Sequence, residues 1–75
     1  MQFDKEFDAS GLSCPMPIVK TKKALSSMAS GQVLRVVATD PGSVKDFAAW
    51  SKSTGNEIVE QTVDGSVFRF VLRRK

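Results

Sequence analysis

One residue in this chain can act as a soft nucleophile at neutral pH. Cys14 is the single cysteine among 75 residues, and it stands between Ser13 and a Pro15-Met16-Pro17 run that opens an amphipathic segment. A thiol held where a helix begins feels the positive end of the backbone dipole, which favours the thiolate, the reactive form. Proline is tolerated in a first helical turn, where its missing N–H had no partner, and Pro15 pushes Cys14 toward extended backbone. The sulfur is therefore expected on a stiff corner. Pro15 and Pro17 withdraw two donors, which leaves the amides of Met16 and Ile18 as partners for an anionic sulfur. Pro17 also disfavours helical geometry at Met16, so the start of the helix stays open between these residues. The bland alternative, a small buried hydrophobe, fits poorly because Cys14 lies outside every apolar stripe.

The remaining composition narrows the chemistry. No second cysteine can close a disulfide, so whatever Cys14 reacts with comes from outside the chain. With no histidine, a zinc site is not expected, and neither is a Cys-His hydrolase. The net charge of +3 is modest, and no aromatic-basic recognition motif accompanies it, which argues against direct nucleic-acid binding. The chain starts Met1-Gln2-Phe3-Asp4-Lys5-Glu6 with no apolar leader, and no segment is long and apolar enough to span a membrane. A reducing, cytoplasmic setting is the expectation.

Several residues near Cys14 carry two readings. Lys20, Lys22 and Lys23 either raise the potential at the thiol or form an ordinary solvated face. Met16 and Val19 miss the inner stripe and should face outward beside the sulfur, as a docking patch or as scattered surface apolar residues. Asp40 follows a strand and should reach the sheet end where a helix starts; it is a turn residue or a contact for a partner's basic group. Trp50, on the flank of the second helix, is expected in the core, with partner contact as the alternative, and Arg73-Arg74-Lys75 as a solvated basic tail.

The elements that must position these residues follow from periodicity. Residues 3–9 alternate, with Phe3, Phe7 and Ala9 on one side and Asp4, Glu6 and Asp8 on the other, as in a half-buried strand. Ser10-Gly11-Leu12-Ser13 is a tight loop in which Gly11 shapes the approach to Cys14. A first helix runs to about Ala29, with Ile18, Thr21, Leu25 and Met28 inward and Gly31 as its cap. Residues 33–38 form a strand, broken by Asp40-Pro41-Gly42. Ser43 starts a second helix through a capping box with Asp46, its inner stripe being Val44, Phe47, Ala48 and Ser51 and its end Gly55. A hairpin closes the chain on an Asp64-Gly65 type I′ turn. That register opposes Gln61 to Phe68 and Val59 to Phe70, pairs Glu60 with Arg69 as a cross-strand ion pair, and sets Ile58 opposite Val71. The polar sheet face would carry Val33, Val37, Ile58, Val67 and Val71. The order is β-α-β-α-β-β in a single domain, residues 1–75: a two-layer α/β sandwich with both helices on one face of a four-stranded mixed sheet.

Asp8-Ala9-Ser10-Gly11-Leu12-Ser13-Cys14-Pro15-Met16-Pro17 resembles the Cys-Pro-x-Pro signature of the TusA (SirA-like) sulfur-carrier family. The likeness continues through Asp40-Pro41 and the Asp64-Gly65 hairpin. The resemblance implies the same two-layer sandwich and a sulfurtransferase in which Cys14 carries a transient persulfide, with no other cofactor and no metal. It implies a cysteine desulfurase or rhodanese as donor and a downstream sulfur-relay protein as acceptor. Pro15, Pro17 and Gly11 would shape the site, and Met16, Val19, Lys22 and Asp40 would meet partners. Thiolation of the tRNA wobble uridine is the leading destination; sulfur oxidation and molybdenum-cofactor supply are alternatives within the family. Outside it stand a small nucleic-acid-binding or regulatory module and a one-cysteine redox sensor.

Overall fold

The computed structural model describes residues 3–13 and 16–75. Along the chain run β1 (Lys5–Ala9), α1 (Met16–Ser26), β2 (Val33–Ala38), α2 (Ser43–Thr54), β3 (Glu57–Asp64) and β4 (Val67–Arg73). The strands lie in the order β1-β2-β4-β3, with β1 parallel to β2 and the other two pairings antiparallel. Both helices pack on one face, as the alternation of β2 requires: Leu34, Val36 and Ala38 are buried while Val33, Arg35 and Val37 face the helix-free side.

The core joins Ala9, Leu34, Val36, Ala38, Phe70 and Leu72 of the sheet to Leu25, Met28 and Phe47. Phe47 stacks on Phe70, with ring centroids 4.5 Å apart, and meets Trp50 edge-on at 6.1 Å. Fully burying side chains of this size contributes about 1.5–3 kcal/mol each, so Phe47 and Phe70 form the main clamp between α2 and the sheet.

Several expectations are corrected. Phe3 does not share a side with Phe7 and Ala9. The chain bends at Asp4, whose amide donates to the Val33 carbonyl (2.8 Å) and whose carboxylate accepts from the Val33 amide (2.8 Å). Phe3 thereby crosses to the helix-free face, where its ring sits 5.5 Å beneath the Arg35 guanidinium.

Helix α1 ends at Ser26, three residues before Ala29. The hydroxyls of Ser26 and Ser27 turn back to the carbonyls of Lys23 and Ala24 (2.6 and 2.9 Å), competing with helix continuation. Met28 is nevertheless buried, from the connecting loop. Gly31 has φ +87 but does not cap α1; its amide bonds the Arg74 carbonyl.

The capping box is absent. Gly42 occupies the cap position of α2 with no side-chain hydrogen bond, and Ser43 is inside the helix, buried, with its hydroxyl unpartnered. Ala48 is exposed, and Trp50 takes its place against the core. Gly55 does close the helix in the left-handed region, φ +82, with its amide on Ser51.

The hairpin turns at Gly65-Ser66. Asp64 pairs with Val67, Val63 with Phe68 and Gln61 with Phe70. Gly65 alone has positive φ (+61), the sign pattern of a type II′ turn, which takes glycine in the first central position. The slip moves partners by two residues, so faces are kept; an odd slip would have inverted them. Arg69 consequently sits opposite Thr62 and reaches Asp64 at 3.9 Å, leaving no Glu60–Arg69 pair. An irregularity between Ile58 and Glu60 then turns Ile58 inward, opposite Leu72 and against the core. The basic tail is also tied down: the Arg74 side chain donates to the Leu25 carbonyl (2.8 Å), Arg73 pairs with Glu57 (2.8 Å), and the Lys75 amide bonds Asn56.

Candidate functional site

The two parallel strands deliver two loops to the same end of the sheet. After β1, the Ser10 amide donates to Asp8 Oδ1 (2.9 Å) and the Leu12 amide to the Ala9 carbonyl (3.2 Å). Gly11 adopts φ +80, a conformation that L side chains rarely take, and its amide donates to Thr39 Oγ1 (2.8 Å) at the end of β2. One hydrogen bond thus ties the β1–α1 loop to the β2–α2 loop. Leu12 packs on the core, anchoring the loop from below. Asp8 is held below the usual carboxylate range, first by the Ser10 hydroxyl and then by its amide, with a small opposing contribution from desolvation.

Cys14 and Pro15 lie outside the described residues, so the site is defined by what flanks them. The Met16 amide donates to the Ser13 carbonyl at 2.8 Å. Of the two amides expected to serve an anionic sulfur, Met16's is therefore already used. Pro17 is buried in the first turn of α1, while Met16 remains 39% exposed. Because α1 begins at Met16, Pro17 sits in its first turn, where no N–H is missed.

Of the four residues expected to meet partners, two share a groove. Val19 and Lys22 line a groove of about 640 Å³ between α1 and α2, together with Ile18, Trp50 and Arg74. Met16 is not part of that groove. Asp40 occupies the β2–α2 turn, half-buried, its carbonyl accepting from the Ser43 amide (3.0 Å). Its carboxylate lies beside Gly42, where an added Cβ would come within 3.3 Å of Oδ2. Asp40 thus stands at the N-terminus of α2, where negative charge is favoured. Trp50 is both core and groove wall, so the two readings left open for it are compatible; the sequence reading missed Arg74. An aromatic at helical spacing signals burial whichever flank it shows. Nothing local to the terminal Arg-Arg-Lys marks Arg74 as crossing to α1.

Among the described residues no cluster of three or more metal-ligating side chains forms, and no helix is long and apolar enough to cross a membrane.

Fold and sequence together define a small α/β sandwich whose single cysteine falls, in sequence, between a parallel strand and a helix with proline in its first turn. Comparison with known proteins is specific. The family model described as Sulfurtransferase TusA matches residues 5–74. The sulfur carrier protein TusA of Allochromatium vinosum is 58% identical over 96% of this chain and 95% of its own length. The putative sulfur carrier protein YrkI of Bacillus subtilis is 51% identical over 99% of both. The crystal structure of a SirA-like protein from Desulfitobacterium hafniense superposes with a TM-score of 0.79, at 25% identity, over 92% of this chain and 95% of that one. The chain belongs to the TusA sulfurtransferase family.

Proposed function

We propose that this protein is a cytoplasmic sulfur carrier that moves sulfane sulfur between proteins on Cys14. The reading is carried by family membership over nearly the whole chain, combined with a lone cysteine two residues before α1. The dipole of an eleven-residue helix favours an anion at its start. The first step is attack of the Cys14 thiolate on the terminal sulfur of a donor's cysteine persulfide. The donor S–S bond breaks, the donor cysteine leaves as thiolate, and Cys14 becomes Cys14–S–SH. The second step is the same exchange with the acceptor's thiolate attacking and Cys14 leaving. Each sulfur atom is handed on without net oxidation or reduction, so no redox cofactor is required. Rates follow thiolate fraction, access and leaving-group pKa.

Absence of a second cysteine protects the cargo. A neighbouring thiol would attack Cys14–S–SH at the inner sulfur, form a disulfide and release sulfide. The donor in this reading is a cysteine desulfurase or a rhodanese, and Met16, Val19, Lys22 and Asp40 meet the partners. The acceptor is a downstream relay protein leading to 2-thiouridine in tRNA. Mass spectrometry after mixing with a persulfide-loaded desulfurase tests the first half: the protein should gain the mass of one sulfur atom, and Cys14→Ser should not. Loading from neither donor class would refute the carrier role. Unchanged tRNA 2-thiouridine in a deletion strain would refute the destination while leaving the carrier role intact.

A further inference from the structure

The charge of this small domain is unevenly distributed. The two helices carry Lys20, Lys22, Lys23, Lys45 and Lys52 against Asp46. Acidic residues concentrate in the strands, with Glu6 and Asp8 on β1 and Glu57, Glu60 and Asp64 on β3. The ion pairs Arg35–Glu6, Arg69–Asp64 and Arg73–Glu57 each use an arginine of the sheet.

Between β1 and α1 lies a groove of about 410 Å³, floored by Phe7 and Ala24 and rimmed by Lys5, Lys20 and Lys23. Lys5 spans its end through a hydrogen bond to Ser27 (3.2 Å). Glu6 borders it too, but that carboxylate is engaged by Arg35 at 3.1 Å. The groove runs along the half of α1 remote from Met16 and Pro17.

The strand beside this groove is an open edge. β1 terminates the sheet order, with β2 its only neighbour. The Asp4 amide points to β2, where it donates to Val33. Val33 turns its backbone amide and carbonyl to β1, so Arg35, two residues on, does the same; with Glu6 opposite Arg35, the backbone groups of Lys5 and Phe7 serve Arg35, and those of Glu6 and Asp8 point away from the sheet. The opposite edge, β3, is interrupted near Ile58, a device that discourages strand addition. β1 pairs regularly over its five residues and has no such irregularity.

We propose that β1 and this groove dock an acidic extended segment of a partner protein, which adds as a strand to the β1 edge and sets its carboxylates against Lys5, Lys20 and Lys23. Main-chain hydrogen bonds supply the alignment, and the lysines supply the charge preference. Successive carboxylates on that face are two residues apart along the added strand, and the side chains between them lie on the helix-free face. The surface includes none of Met16, Val19, Lys22 and Asp40, the residues assigned to the sulfur-transfer partners.

The test uses a capped peptide alternating Glu and Val, about eight residues long to match a strand, titrated into the full chain under amide NMR. Shifts should concentrate on Lys5–Ala9 and on α1 from Lys20 to Ser27. Binding should weaken steeply near 1 M salt, where screening length falls to about 3 Å. Lys20→Glu with Lys23→Glu should weaken binding about tenfold, while Lys45→Glu with Lys52→Glu, the same change in net charge on α2, should stay within about twofold. All four lysines are exposed, so both variants should keep the wild-type circular dichroism. Equal loss in both variants, or shifts that avoid β1, would overturn the proposal. So would tighter binding of oligouridylate at the same amides, which would make the groove a nucleic-acid site. Self-association abolished by Lys20→Glu with Lys23→Glu would assign the edge to a second copy instead. Sulfur loading of Cys14 is measured on the same samples, so failure of docking and failure of the carrier role are read separately.

Discussion

Replacing Gly11 with alanine tests how the β1–α1 loop is held. Gly11 has φ +80, and nothing stands within 4 Å of where a Cβ would sit. The substitution therefore adds no clash and keeps the amide that bonds Thr39; its cost is purely conformational. An L-residue in the left-handed region costs roughly 1–2 kcal/mol, and alanine recovers about 0.4–1 kcal/mol by restricting the unfolded chain. The net loss is about 1 kcal/mol, which lowers the melting temperature by about 4–8 °C in a domain of this size. Gly42→Ala is the control. Gly42 has φ −72, ordinary helical backbone, and its Cβ would meet side-chain carboxylates rather than backbone, Asp40 at 3.3 Å and Asp46 at 3.8 Å. Its change should lie within about 0.5 kcal/mol of zero, the small terms for unfolded-chain entropy and cap preference opposing each other. Urea denaturation of both variants reads the difference. If Gly11→Ala is neutral, or Gly42→Ala costs as much, the loop is not held by a glycine-only conformation and the reasoning fails.

Other outcomes follow from the same geometry. Ser43→Ala removes a buried hydroxyl that has no partner, so stability should hold or rise by about 1 kcal/mol; a capping serine would instead lose about 1 kcal/mol, and urea denaturation separates the two. Thr21→Val, which removes the second unpartnered buried hydroxyl with little change in shape, should likewise not destabilise. The Asp8 carboxyl should titrate below its ordinary 3.8, and Ser10→Ala should move the midpoint back up, as followed by NMR. Because the folded pKa is the lower one, the stabilisation is present above pH 3.8 and is lost as pH falls through the folded value. A midpoint at or above 3.8 would show that the Ser10 bonds do not form in solution.

Much of this protein was legible from local pattern. The buried alternation of residues 33–38, the left-handed stop at Gly55 and the β-α-β-α-β-β order each depend on neighbours within a few residues, where backbone preference and side-chain period act directly. The lone cysteine before a proline-started helix is likewise a local feature, and it marks the candidate chemistry and the family. What tertiary structure decided involves competition between distant groups. Ser43 had the right type and spacing to cap α2, but packing drew it inside the helix and left Gly42 at the cap. Asp4 bends the chain because Val33, far along the sequence, offers both halves of a hydrogen-bonded pair, and that bend carries Phe3 to the other face. The hairpin turn moved to Gly65-Ser66 because pairing Val63 with Phe68 and Gln61 with Phe70 still sets Phe68 and Phe70 toward the helices, which a two-residue slip permits at no cost in facing. The joining of the Gly11 loop to Thr39, and of Val19 and Lys22 to Trp50 and Arg74, exists only after the sheet has assembled. Residue type and short-range spacing specify which groups are present and how each segment bends; only packing determines which of them share a surface.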